Sequence, residues 1–292
     1  MRPSRWLVRA VVAVLAITAI FGIVACGGGQ PEQEQEQQAQ EQVPEDTLAV
    51  TLGAGGELTG VKELPAGPVT VEFANDAPQP HELQMIRVDG DHSIEEVLEV
   101  ISSEGEPIPG WIHGAGGVGS VAPGQTSTST QVLESGRHFL IAQLAAEGEE
   151  PPVTAELEVS DGQARGKLPE ASARIDAFEY GFRPEGLKPG RQEVEFENTG
   201  GELHHVQAFP LRPGASLDEA KEFFESEEPP EGEEPPLDFE GAAGTPVLDG
   251  GTKQVLEMEL RPGKYALVCF IPDRSGGKPH LDKGMIDEVE VE

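Results

Sequence analysis

Near the end of this 292-residue chain, the stretch Lys264 to Val289 reads K-Y-A-L-V-C-F-I-P-D-R-S-G-G-K-P-H-L-D-K-G-M-I-D-E-V. It holds Cys269, His280 and Met285. A thiolate, an imidazole and a thioether are soft donors that favour copper over harder ions. A second imidazole has to come from elsewhere, and N-T-G-G-E-L-H-H offers His204 and His205. Taken singly, each donor has an ordinary structural use: a lone buried cysteine commonly behaves as a small hydrophobe, and Met285 could serve the core. The order His, Cys, His, Met within one half of the chain points to metal instead.

These donors need two neighbouring strands and one folded loop. Tyr265 to Phe270 alternates as a strand and delivers Cys269 into a loop. Ten residues separate Cys269 from His280, and Gly276, Gly277 and Pro279 supply the turn chemistry to fold them back. On the upstream strand, His204, Val206 and Ala208 share one face, while His205, Gln207 and Phe209 share the other. The corresponding face of an earlier segment is His81, Leu83 and Met85, opposed to Glu82 and Gln84. The apolar face is the buried one, so His204 is expected to point inward as the ligand. His205 is the alternative ligand.

That earlier segment belongs to an internal repeat. Phe73, Asn75 and His81 recur as Phe196, Asn198 and His204, each 123 residues later (196 − 73, 198 − 75, 204 − 81). Ser93-Ile94-Glu95-Glu96 recurs as Ser216-Leu217-Asp218-Glu219 at the same offset; both are capping boxes that predict one short helix per copy. E-S-G-R-H-F-L-I-A-Q recurs as R-P-G-K-Y-A-L-V-C-F, which sets Ala142 opposite Cys269 and His138 opposite Tyr265. The chain has 36 Gly and 25 Pro, which suits many short strands and turns.

With the ligand order in place, the C-terminal copy resembles the cupredoxins, the small blue-copper electron carriers related to plastocyanin, azurin and auracyanin. The resemblance implies an all-β fold of two tandem cupredoxin-like Greek-key β-sandwich domains. It also implies one type 1 copper held by His204, Cys269, His280 and Met285. The H-x-x-x-x-M ending matches the family; the ten-residue gap after Cys269 is longer than its common forms. His205 stands where the family usually has an asparagine that locks the ligand. The N-terminal copy keeps His81 but has Ala142 at the cysteine position, so it is expected to be a metal-free structural or docking domain. A histidine-only copper or zinc site is the alternative for that half.

Arg2, Arg5 and Arg9 precede an apolar run, Ala10 to Ala25, too short for a comfortable membrane span. It ends Ile23-Val24-Ala25-Cys26-Gly27, which resembles a bacterial lipoprotein signal with Cys26 as the lipidated residue. The expected organisation is a signal peptide at 1–25 and a disordered Gln/Glu-rich spacer at 26–46. A first domain at 47–160, a linker at 161–171 and the copper domain at 172–292 follow. The insertion Glu225 to Glu240, rich in Glu and Pro, is expected to be a mobile surface loop. Such a protein is exported and anchored to the cell membrane, facing the periplasm or exterior. With Cys26 lipidated, Cys269 has no disulfide partner, and metal ligation gives the remaining thiol a use.

A net charge of −33 argues against nucleic acid as a partner and suits a redox partner with a basic docking face. Multicopper oxidases and copper nitrite reductases are also built from tandem cupredoxin domains. They need additional histidines beside the cysteine, whereas Val268 and Phe270 flank Cys269 here and no His-x-His occurs among seven histidines. The chain is therefore expected to be an electron carrier, not an enzyme. A copper sequestration or delivery lipoprotein is one alternative. A metal-free envelope interaction protein is the other.

Overall fold

The computed structural model describes residues 46–145, 150–226 and 234–292. The leader, Cys26 and the spacer up to residue 45 lie outside the described residues. Among the described residues, no helix is long and apolar enough to cross a membrane.

The N-terminal half supplies β1 (Thr47–Leu52), β2 (Leu58–Thr59), β3 (Leu64–Pro65), β4 (Gly67–Asn75) and β5 (His81–Val88). It continues with α1 (Ile94–Ser102), β6 (Ile112–Val121), β7 (Gln125–Leu133), β8 (Gly136–Leu144) and β9 (Val153–Ser160). The C-terminal half supplies β10 (Ala173–Phe178), β11 (Gly181–Glu185), β12 (Gly190–Asn198), β13 (Gln207–Pro210) and α2 (Leu217–Glu225). It ends with β14 (Ala243–Gly244), β15 (Lys253–Leu260), β16 (Gly263–Val268) and β17 (Ile286–Val291). The expected all-β chain of two cupredoxin-like sandwiches, each with one short helix, is met. Both helices start on the anticipated capping boxes, Ser93 with Glu96 and Ser216 with Glu219.

Period-two alternation builds both cores. Val69, Val71 and Phe73 on β4, and Val194 and Phe196 on β12, are fully buried, while Glu72 between them is exposed. Each such side chain contributes about 1.5–3 kcal/mol by leaving water. The repeat extends to polar detail. Asn75 Nδ2 donates to the carbonyls of Gln79 and Val121, both at 2.8 Å, and its Oδ1 accepts from Ala77 N–H at 3.0 Å. Asn198 does the same with Glu202 (2.7 Å), Leu248 (2.9 Å) and Gly200 (3.0 Å).

Two sheets stay within their own halves, in the orders β3-β9-β8-β5-β6 and β14-β13-β16-β17. The third runs through both, as β11-β10-β12-β15-β7-β4-β1-β2. Its join is antiparallel, with Gln254, Val255 and Leu256 of β15 opposite Gln131, Thr130 and Ser129 of β7. The stretch 161–171 forms no strand or helix; Ala164 N–H donates to Ala66 O at 2.8 Å, so it runs along the first half.

The described end of the acidic insertion, 234–240, packs more closely than its composition suggests. Leu237 is fully buried against Phe209, Ala266 and Val268, and Phe239 packs edge-on to Phe209. Arg212 ties the segment down by donating to Pro235 O (3.0 Å) and Pro236 O (2.9 Å). Residues 227–233 lie outside the described residues, but 234–240 is packed surface. One leucine and one phenylalanine outweigh the acidic neighbours, which simply face solvent.

His138 sits fully buried in β8 with Nδ1 against Gly136 O at 3.1 Å and Nε2 without a partner. Burial pushes its pKa down to about 4, so it is neutral in the fold at neutral pH. Because the unfolded chain binds this proton near pH 6.5, stability is complete above that value. It declines as pH falls toward the folded pKa. We expect a loss on the order of 2 kcal/mol between pH 7 and pH 4.5 attributable to this residue. Urea unfolding of His138→Phe should show that much less pH dependence than the parent over the same range.

Candidate metal centre

β13 and β16 pair antiparallel with Gln207 opposite Val268, so the next residues outward, Val206 and Cys269, meet just beyond the regular ladder. That register brings the strand carrying His204 beside the one carrying Cys269. His204 itself is held by a two-way backbone pairing with Leu248, N–H to O at 3.1 Å and O to N–H at 2.9 Å. Beyond Cys269 the chain returns through a single 3-10 turn at His280–Lys283. Gly284 ends that turn at φ 96°, a left-handed conformation that suits glycine, and reverses the chain into Met285. Cys269 N–H then donates to Met285 O at 3.3 Å, and Met285 N–H donates to His280 O at 3.0 Å.

Three donors converge. Cys269 Sγ lies 3.7 Å from His204 Nδ1 and 3.5 Å from His280 Nδ1, and the two Nδ1 atoms are 3.1 Å apart. Among the described residues, this is the one His/Cys/Asp/Glu group arranged to hold a metal ion. All three side chains, and Met285, have no solvent exposure. Met285 packs in the same apolar cluster as Cys269. His205 stays outside the group: its Nε2 accepts from Phe270 N–H at 3.0 Å, which locks the two strands together. Burial pushes His205 down to about 3, keeping that acceptor unprotonated.

The remaining ring nitrogens face carboxylates. His280 Nε2 is 3.1 Å from Asp273 Oδ1, and His204 Nε2 is 3.4 Å from Glu179 Oε1 without hydrogen-bond alignment. Asp273 is also bound by Lys283 and, at 2.9 Å, by Tyr180 Oη; the Lys283 bond leads in holding its carboxyl below the usual range. Burial alone would raise Glu179, but amide hydrogen bonds from Glu202 and Gly201, both at 2.7 Å, help bring it below the usual range. Sequence reasoning missed Glu179, Asp273 and Tyr180, because no fixed spacing relates them to the donors.

Two carboxylates that favour N–H at Nε2 leave the Nδ1 lone pairs bare and turned toward each other. Burial lowers both imidazoles, His280 to about 4, so neither ring gains a second proton near neutral pH. Burial likewise pushes the Cys269 thiol up to about 12, against amide hydrogen bonds from His205 and Ile271. A dry pocket with two bare imidazole nitrogens and a sulfur is satisfied by one cation. Imidazole nitrogens at about 2.0 Å and a thiolate at about 2.3 Å from an ion in their plane stand roughly 3.5–3.7 Å apart. The two sulfur–nitrogen separations, 3.5 and 3.7 Å, fit that spacing, and the nitrogens at 3.1 Å stand closer, which corresponds to a narrower angle between them at the ion.

No protein-family model matches the chain, and no curated protein matches it either. Solved structures do. Reduced auracyanin from Roseiflexus castenholzii is 18% identical, covering 41% of this chain and 94% of its own, with a TM-score of 0.26. A copper nitrite reductase from Nitrosomonas europaea is 15% identical over 84% of this chain and 93% of its own, with a TM-score of 0.22. A multicopper oxidase is 16% identical over 84% and 88%, with a TM-score of 0.23. At identities below 20% and TM-scores this low, the copper reading stands on the chain's own donors.

Proposed function

We propose that the C-terminal half binds one copper ion through His204 Nδ1, His280 Nδ1 and Cys269 Sγ, with the Met285 thioether as a weak fourth donor. In this reading the chain is an electron carrier, not an enzyme. Copper in such a donor set supplies one reversibly transferable electron. The observation that carries the reading is the convergence of three buried donor atoms at metal-ligand separations.

The chain's own residues do the rest. Asp273 holds the outer nitrogen of His280 by a hydrogen bond, and the Glu179 carboxylate, 3.4 Å from the outer nitrogen of His204, favours N–H there by its charge; both turn Nδ1 inward. His205 and Leu248 fix the strand on which His204 rides. Complete burial of the four side chains excludes water and leaves no open position for a substrate, which supports a carrier over a catalyst. It also disfavours handing the ion on, since a delivering protein needs its donors reachable. The N-terminal half is proposed to be metal-free: His81 Nδ1 is engaged by Gln79 O at 2.9 Å, and Ala142 stands opposite Leu83 where a cysteine would be needed. Lipidation at Cys26 would tether the protein outside the cytoplasm, and the net charge of −33 suits a partner with a basic face.

Loading the metal-free chain with one equivalent of Cu(II) should produce an intense thiolate-to-copper visible band that bleaches on reduction and returns on oxidation. Tight Cu(I) binding without that band would favour sequestration or delivery. Absence of both would leave an interaction protein.

A further inference from the structure

The ten residues between Cys269 and His280 are not slack. Pro272 and Pro279 bridge across the base of the loop, pinching it into a hairpin whose tip reaches the other half of the molecule. There, Gly277 N–H donates to Gly105 O at 2.8 Å, and Ile108 N–H donates to Arg274 O at 2.9 Å. The Arg274 guanidinium donates through Nη1 to Ile112 O at 3.0 Å and Pro109 O at 3.3 Å, and through Nη2 to Asp249 Oδ1 at 2.7 Å. The second oxygen of Asp249 lies 2.7 Å from His113 Nδ1, and His113 Nε2 lies 2.9 Å from Asp89. Gly276 sits at φ 82° so close to the first half that a Cβ there would stand 2.6 Å from Gly105 O.

The His204 side is fastened to the same half. Leu248, which pairs with His204, lies in a segment whose neighbours bond to β5 and β6. Asp249 N–H donates to Gly114 O at 2.9 Å, Gly116 N–H to Val247 O at 3.2 Å, and Val247 N–H to Gln84 Oε1 at 2.7 Å. Both ligand-bearing segments of the C-terminal half are therefore anchored on the N-terminal half.

We propose that the N-terminal half positions the His204–Cys269–His280 cluster, with Arg274 as the positioning residue on the loop side. The metal consequence rests on the copper reading above; the positioning itself does not. A ten-residue loop with a free tip would open locally at little cost and carry Asp273, and with it His280, out of place. Anchored at the tip, its stem is held at both ends. Arg274 touches no donor and acts through the loop.

Two variants of the full chain test this: Arg274→Gln, which removes the ion pair and the forked donation, and Gly276→Ala, which drives the tip off Gly105 by sterics alone. In the metal-free chain, amide hydrogen exchange at Gly277, Ile108 and His280 should quicken about tenfold or more, with β4 and β12 amides unchanged as the folding control. In the copper-loaded chain, the thiolate band should shift, the reduction potential should move, and affinity should fall about 10–100-fold. Parent-like exchange at His280 in both variants would overturn the proposal. So would an unmoved band and potential in variants that do bind copper. A parent chain that gives no band sinks the copper reading alone, and the exchange arm still decides the positioning.

Discussion

Replacing Cys269 by serine is expected to abolish the visible band of the copper-loaded chain and to weaken copper binding by more than about a hundredfold. Among the described residues, the sulfur is the one soft anion available to the cluster, and it lies within 3.7 Å of both inward-facing nitrogens. With burial holding the thiol up to about 12, the proton leaves when a cation takes its place. Copper uptake should accordingly release protons and weaken as pH falls. A serine hydroxyl occupies nearly the same space but does not ionise there. The amides of His205 and Ile271 remain to meet its oxygen, so the fold should lose no more than about 1–3 kcal/mol. Copper content after dialysis, measured beside a thermal melt, separates the two effects. Stoichiometric copper in Cys269→Ser at parent affinity would refute the assignment.

The largest expected effect on stability is at Asn198. Exchanging it for leucine keeps the branching at Cγ but removes all three bonds, leaving Glu202 O and Gly200 N–H without this partner and Leu248 O with the His204 amide alone. At about 1 kcal/mol for each bond, the loss is about 3 kcal/mol, and more if any of the three stays dry. For a body of this size that lowers Tm by about 6–12 °C. Asn75→Leu should cost a similar amount, because Asn75 makes the matching three bonds. Copper affinity should distinguish them. Leu248 O is shared between Asn198 and the His204 amide, whereas the Asn75 network lies in the other half. Equal copper affinities in the two variants would show that the asparagine does not hold the His204 strand.

Much of this was legible because it depends on local chemistry. Strand alternation set His204 inward, and its complete burial follows from the same face that buries Val206 and Ala208. Two serines followed three residues later by glutamates marked both helices. The constant offset of 123 between Phe73, Asn75, His81 and their counterparts marked the duplication before any fold was known. What escaped depends on contacts between distant segments. Nothing near Arg274 in sequence reveals that it meets Ile112 and Asp249, so the long loop after Cys269 looked like an excess to be folded away. Glu179 meets His204 across 25 residues, at a distance fixed by the packing of two sheets. At 234–240 the acidic insertion is more closely packed than its composition suggests, because composition averages over residues and a single Leu237 directed inward is enough to seat this stretch.

The shared eight-stranded sheet has a further consequence. Duplicating a β-sandwich doubles the number of bare ladder rims, and such rims invite pairing with other chains. Here β7 and β15 close one rim of each copy against the other. Either half produced alone would regain an unpaired row of amides and carbonyls at Ser129–Gln131 or Gln254–Leu256, and should dimerise or precipitate through it. The copy with Ala142 at the position of Cys269 thus shields its sibling from aggregation.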